Sequence, residues 1–196
     1  MTEPSAEFLD SGQYSANSIR KYERIYGRDF ISPGGADTAR EFVAMLELRP
    51  GRHVLDAGCG IGGAAFLMAK ECGVTVEGID LSRNMVDRAM NRCRQLGLED
   101  RVMFHHGDLM SLDAERRFDA VYSRDVFLHV HNKPALFRLL LKALKPGGRL
   151  LISDYCRGPG SLSEAFESYV EKRGYFLTTV EDYGRMLEDA GFARVR

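Results

Sequence analysis

The stretch VLDAGCGIGG at residues 54–63 puts Gly58, Gly60 and Gly63 between an apolar run and a helical one, where a backbone must pass close to a ligand. The letters also satisfy a GxGxxG dinucleotide pattern, which alone is a weak signal. Three carboxylates sharpen it. Asp56 stands immediately before the loop, Asp80 closes the next β-type run, VTVEGID, and Asp108 closes the third, RVMFHHGD. Acids therefore gather at the carboxyl ends of three successive strands, and Asp80 is placed to accept hydrogen bonds from ribose hydroxyls.

A pyrophosphate would be repelled by Asp56. S-adenosylmethionine has no phosphate and carries a sulfonium and an ammonium, so an acidic rim suits it. His129 in FLHV can move a proton near neutral pH, and a buried, hydrogen-bonded core histidine is the competing reading. His131 tempts a metal reading that fails for want of partners, because His105 and His106 are adjacent on a strand and point to opposite faces. No metal is expected. Tyr22 and Tyr26, four apart on a helix, serve either a site or core packing. Arg173 lies in the charged run EKR, usually a solvated face. Cys59 and Cys156 read as small buried fillers.

The elements that position these residues alternate short β-type runs with amphipathic helices from Arg52 onward, the rhythm of a parallel sheet wrapped by helices. The strand candidates are HVLDAG, VTVEGID, RVMFHHGD, FDAVYS and GGRLLISDY. The clearest helix is SRNMVDRAMNRCRQLG, with Met85, Ala89 and Cys93 at helical spacing, Ser82 able to cap its start and Gly97 its end. Residues 16–27 and 36–48 predict two helices before this core, and residues 161–173 and 179–190 two after it, the last opened by Thr179 with Asp182 three residues on.

The 196 residues, 44% apolar and 28% charged, have the profile of one globular domain without repeats or linkers. Twenty-seven Lys and Arg against 28 Asp and Glu leave a formal charge of −1, which removes the basic field that duplex nucleic acid requires. Cys59, Cys72, Cys93 and Cys156 form no CxxC pair. The N-terminus MTEPSAEFLDSGQYS is acidic where a signal peptide is basic, and no apolar run approaches the ~18 residues of a membrane span. A cytoplasmic protein without membrane insertion is the expectation.

The DxGxG loop, the two later strand-end acids and LKPGG before the fifth strand resemble the class I S-adenosylmethionine-dependent methyltransferases. That resemblance implies a Rossmann-like α/β sheet with helices on both faces. It assigns Asp56, Gly58 and Gly60 to the methionine side, Asp80 with Leu81 to ribose, and Asp108 with Leu109 to adenine. Four separated segments narrow it. FLDSGQYSANSIRKYERIYGRDFISPGG, YSRDVFLHV, ISDYC and YVEKRGYFLTTVEDYGRMLEDAGF are similar to the lid, the stretch after the fourth strand, the fifth strand and the substrate-side helices of the phosphoethanolamine N-methyltransferases.

This narrower resemblance implies one domain over 1–196: an N-terminal helical lid at 1–50, a cofactor-binding core at 51–156 and substrate-side helices at 157–196. It places Gln13 and Tyr14 over the site and Ser32 in the second lid segment. Asp125, His129 and Tyr155 face the reacting amine, and Tyr169, Arg173 and Tyr175 the phosphate. Tyr14 and His129 resemble the family's catalytic pair, and Ile31 and Arg124 lie near the cofactor. Methyl transfer to nitrogen needs a neutral amine held in line and shielded from water, and a histidine titrating near neutrality could take the departing proton. A guanidinium and tyrosine hydroxyls suit the phosphate, and Tyr14, Tyr22 and Tyr155 could face a methylated cation.

The expected reaction is methyl transfer to phosphoethanolamine or its mono- and dimethyl forms, toward phosphocholine. A methyltransferase for another small amine or a lipid, and a cofactor-binding module without catalysis, are the alternatives. The resemblance also leads one to expect a sixth and seventh strand where the sequence reads GFARVR, so the last strands are taken as missing or incomplete. A sheet ending there would leave an uncovered edge open to association.

Overall fold

The computed structural model describes residues 5–196. Its centre is a five-stranded parallel sheet of β1 (His53–Ala57), β2 (Thr75–Asp80), β3 (Val102–His106), β4 (Phe118–Arg124) and β5 (Leu144–Ser153), in the order β3-β2-β1-β4-β5. Successive side chains of a strand point to opposite faces, and both faces here are apolar. Val54, Ala120 and Tyr122 pack on one side against α3 (Gly35–Met45), α4 (Gly63–Cys72) and α5 (Arg83–Leu96). Leu55, Ala57 and Val121 pack on the other against α6 (Lys133–Ala143) and α8 (Val180–Ala190). The doubly wound sheet expected from the alternating runs is the one observed.

The strand order reverses between β1 and β4. Loops leaving those two strands diverge to opposite faces and open a crevice beyond their carboxyl ends, where ligands of such sheets bind.

The local signals explain most boundaries. Ser82 caps α5 by accepting from the Met85 amide at 3.2 Å, and Met85, Val86, Ala89 and Cys93 form its buried stripe. Thr179 caps α8 through the Asp182 amide at 3.1 Å, and its hydroxyl donates to that aspartate at 2.8 Å. At β5 the expectation needs adjustment. Pairing passes from Leu144 with Phe118 to Arg149 with Ala120, so the Lys-Pro-Gly-Gly turn is a bulge inside the strand and does not precede it. Gly147 takes φ 76° there, which a side-chain-bearing residue would resist.

Two N-terminal helices, α1 (Ala6–Ser11) and α2 (Ala16–Tyr26), line the same crevice as α7 (Glu164–Arg173). The six-residue α1 is too short for periodicity to reveal. Arg92 pairs with Asp29 at 2.8 Å, and Arg88 with Glu23, so α5 holds α2 and the loop behind it. Helix α7 buries none of its side chains, leaving its aromatic face to the crevice. The described residues after α8 add no sixth strand.

Candidate active site

A cavity of about 630 Å³ fills the crevice, and every residue singled out from the sequence as a site residue lines it. The backbone of the glycine loop is its floor. Gly58 and Cys59 donate to the Ile79 carbonyl at 2.8 and 3.0 Å, which ties the loop to the end of β2. Gly58 has φ 80°, and a Cβ there would stand 2.2 Å from Val126. Nothing larger than glycine fits.

The acids are not equivalent. Asp56 is 2% exposed, and its Oδ2 has no hydrogen-bond partner among the described residues. Burial, with Asp80 close by, pushes it up to about 8. Asp80 accepts from the Gly60 and Ser82 amides, both at 2.8 Å, and burial still raises it to about 6. Asp108 is exposed and caps a short 3-10 turn, Leu109–Ser111, by accepting from the Met110 amide at 2.8 Å. A buried and a partly buried carboxylate flank the glycine loop, and among the described residues no cation forms an ion pair with either, a poor environment for a phosphate and a good one for positive charge.

At the far end, the Tyr14 hydroxyl meets His129 Nε2 at 3.4 Å across 115 positions of sequence, with the rings edge to face. Gln13 donates to the same hydroxyl at 3.2 Å. Burial first, then Asp80, raises the Tyr14 hydroxyl far above its ordinary value. It keeps its proton, and the direction of its hydrogen bond with His129 follows the histidine tautomer. The histidine differs from expectation: burial, then the Lys133 charge, pull it down to about 4, where near-neutral titration was expected. Its resting form is the neutral imidazole.

An aromatic wall continues from this pair. Tyr175 packs edge-on against His129 at 5.1 Å and Tyr169 against Tyr175 at 6.3 Å, with the Arg173 guanidinium 5.5 Å above the Tyr169 ring. Arg173 donates to the Gln13 side chain at 3.3 Å, and among the described residues no carboxylate pairs with it. This is a cation awaiting an anion. Tyr22 stacks on Tyr26 at 6.4 Å while also lining the cavity, so packing and site coincide. Tyr155, half exposed, lies at the mouth.

Asp125 has φ 56°, a strained position just beyond β4, and burial raises its carboxyl against the hydrogen bond from Ser32. Arg124 turns its guanidinium to the Pro33 and Gly35 carbonyls and over Phe42, holding the loop that carries Ile31 and Ser32. Leu81 and Leu109 supply apolar walls on either side of Asp80 and Asp108. Cys59 is buried as expected; Cys156 is not, because it follows the edge strand β5 and is exposed on the cavity rim.

Sequence reasoning missed Asp10 and Asn84. Asp10 accepts from the Ser82 hydroxyl and from the Arg83 amide at 3.2 Å, so the lid helix caps α5 from outside. Asn84 donates to the Tyr14 carbonyl at 3.1 Å and fixes the residue that reaches His129. Ser82 advertised itself as a cap, but nothing local pairs it with a residue 72 positions away.

The fold and these residues decide the comparisons. A methyltransferase-domain family profile matches residues 48–191. A phosphoethanolamine N-methyltransferase of Plasmodium falciparum is 35% identical over 96% of this chain and 71% of its own length. The chain belongs to the phosphoethanolamine N-methyltransferase family. Phosphoethanolamine N-methyltransferase 1 of Triticum aestivum is 52% identical over 94% of the chain, which spans 37% of that relative. The structure of phosphoethanolamine N-methyltransferase 2 of Haemonchus contortus, solved with phosphomonomethylethanolamine and S-adenosylhomocysteine, superposes with a TM-score of 0.94 at 38% identity. It covers 97% of this chain, which spans 45% of it. The five-stranded sheet is a class I methyltransferase core; α8, expected on the substrate side, contributes no residue to the cavity and packs against α6 and the sheet instead.

Proposed function

We propose that this chain transfers a methyl group from S-adenosylmethionine to the nitrogen of phosphoethanolamine, or of its mono- and dimethyl forms, toward phosphocholine. The observation that carries this reading is one cavity with opposite electrostatic ends: unneutralised Asp56 and Asp80 at the glycine loop, unneutralised Arg173 at the aromatic wall, and the Tyr14–His129 contact between them.

The residues fit the donor. Asp56 would hold its positive end, the Gly58–Gly60 backbone its methionine part, and Asp80 with Leu81 its ribose, using carboxylate lone pairs that the two amides leave open. Asp108, Leu109 and Ile31 would enclose the adenine side. When bound, S-adenosylmethionine supplies a methyl made electrophilic by its sulfonium. Everything else falls to this chain.

Arg173, with the Tyr169 and Tyr175 hydroxyls, anchors the phosphate, which aligns the amine at the opposite end of a short substrate. Asp125, Tyr155 and Tyr22 steer the amine and face the cation that forms. Gln13 and Ser32 close the lid side and exclude water. The ammonium must shed a proton before its lone pair can attack. Tyr14 can accept that proton as it passes its own to His129 Nε2. An alkylammonium ionises near the lysine value of about 10.4, so placing its proton on a histidine at about 4 is uphill by roughly 9 kcal/mol. His129 therefore does not store the proton: among the described residues its Nδ1 has no partner, so water admitted to the cavity must take the proton from the imidazolium.

Four unpaired cysteines, two of them buried, suit a reducing setting such as the cytoplasm, and no described helix is long and apolar enough to cross a membrane. The outer edge of β5 supports association with another strand. The test is labelled-methyl transfer to phosphoethanolamine and its monomethyl and dimethyl forms, run beside His129→Ala and Tyr14→Phe. The reading expects label in at least one acceptor and a loss of about 10²-fold or more in kcat for His129→Ala. A folded, cofactor-loaded wild type that labels none of them would leave a binding module without catalysis.

A further inference from the structure

Lys133 is the most deeply buried cation described here, 3% exposed in the first turn of α6. A buried ammonium is costly unless it is well partnered, and its partners are informative. Its Nζ donates to the Val130 carbonyl at 2.8 Å and to the Phe176 carbonyl at 2.5 Å. Val130 ends the short turn Phe127–His129, and Phe176 follows Tyr175. The Phe176 amide in turn donates to the Leu128 carbonyl at 2.6 Å. Two segments that meet nowhere in sequence, one carrying His129 and the other Arg173 and Tyr175, are thus joined by the Lys133 ammonium, which bonds to both, and by the Phe176–Leu128 hydrogen bond beside it.

We propose that Lys133 is a positioning residue for this reaction: its ammonium staples the His129 segment to the Tyr175 segment and stands as a fixed positive charge behind the imidazole. The claim rests on the methyl-transfer reading for its kinetic arm only. The staple sets the distance between the proton relay and the phosphate anchor, the dimension a short bifunctional substrate must span. The groups facing His129 are Tyr14 from the lid, Tyr175 from the segment after α7 and Lys133 from α6. Asp125 beyond β4 and Asp154 beyond β5 are the carboxylates around this cluster. Asp154 accepts from the Tyr183 hydroxyl and the Tyr155 amide and feels the Lys133 charge. Burial keeps the imidazole neutral, in the form that accepts the Tyr14 proton, and the Lys133 charge acts in the same direction.

The experiment is a side-chain NMR titration of His129, assigned with His129→Ala, in wild type, Lys133→Met, Lys133→Gln and Lys133→Arg, with kcat and KM measured alongside. The two neutral variants should move the His129 midpoint toward its ordinary value by about one pH unit or more, while Lys133→Arg leaves it near the wild-type value. Lys133→Met should also lose the nuclear Overhauser contact between the His129 and Tyr175 rings. Its kcat should fall by about tenfold or more, with the KM for methyl donor unchanged. Should Lys133→Met not fold, Lys133→Gln, which still donates to carbonyls, decides the charge effect. A His129 midpoint unmoved in both neutral variants, or a retained ring contact with kcat within twofold, would overturn the proposal. Absence of methyl transfer in wild type refutes the functional reading and leaves the titration and ring contact as independent measurements.

Discussion

Asp56 makes a prediction about both stability and affinity, with opposite signs. Burial lifts its carboxyl to about 8 in the ligand-free site, well above the unfolded value near 3.9. A group raised on folding contributes its full stability below its unfolded pKa and loses it as pH climbs through the folded one, so the free protein should weaken between pH 4 and pH 8. At pH 7 the cost of keeping this position acidic is on the order of 4 kcal/mol. Asp56→Asn removes the titration but leaves an amide with no built partner, so we expect it to recover about 1–2 kcal/mol, a rise in Tm of roughly 3–6 °C at pH 7–8. A cationic ligand selects the ionised form. Its affinity should therefore rise about fifty-fold from pH 6 to pH 8 and then level off, with proton release on binding at the lower pH. Dividing wild-type by Asp56→Asn dissociation constants for S-adenosylmethionine, measured calorimetrically in buffers of different ionisation enthalpy, cancels titration of the ligand itself. A ratio flat across that range, or an Asp56→Asn protein that melts lower than wild type at pH 8, would refute the argument.

Other expectations follow from single contacts. Arg173→Ala should weaken the phosphorylated acceptor by about 10–100-fold while leaving donor affinity unchanged by calorimetry, because the groups that lose a charge-assisted partner, the phosphate and Gln13, both lie at the far end from the glycine loop. Gly58→Ala forces a Cβ to within 2.2 Å of Val126 at φ 80°; a loss of about 2–4 kcal/mol in denaturant unfolding and a sharp loss of donor binding are expected. Asp10→Ala removes the external cap on α5, and hydrogen exchange should show α1 and α2 opening faster, at a cost of about 1 kcal/mol in global stability.

The glycine-loop end of the cavity was readable because its information is local. A strand-end acid, a glycine turn and a helix start occupy ten consecutive letters, and Asp80 and Asp108 recur at the ends of the next two strands. The helices of the core were readable for the same reason: Ser82 and Thr179 announce caps that the structure uses. The substrate half was not local. Tyr14 and His129 came from a resemblance, since no periodicity links residues 115 positions apart. Lys133 sits between Asn132, which caps α6, and Pro134, and so reads as an ordinary solvated helix start. Its burial depends on Phe176 arriving from beyond α7, and the low proton affinity of His129, set first by its own burial and then by the Lys133 charge, depends on the same long-range packing. Cys156 went the other way for a related reason: the expectation of burial ignored that β5 is an edge strand.

The account depends on a cavity that takes a cation at its acidic end and an anion at its basic end. Comparing kcat/KM for labelled-methyl transfer to phosphoethanolamine with that to ethanolamine measures this directly. With Arg173 and two tyrosines serving the phosphate, the phosphorylated acceptor should be preferred by at least about 10²-fold, and Arg173→Ala should erase most of the preference. Equal use of the two acceptors would contradict it.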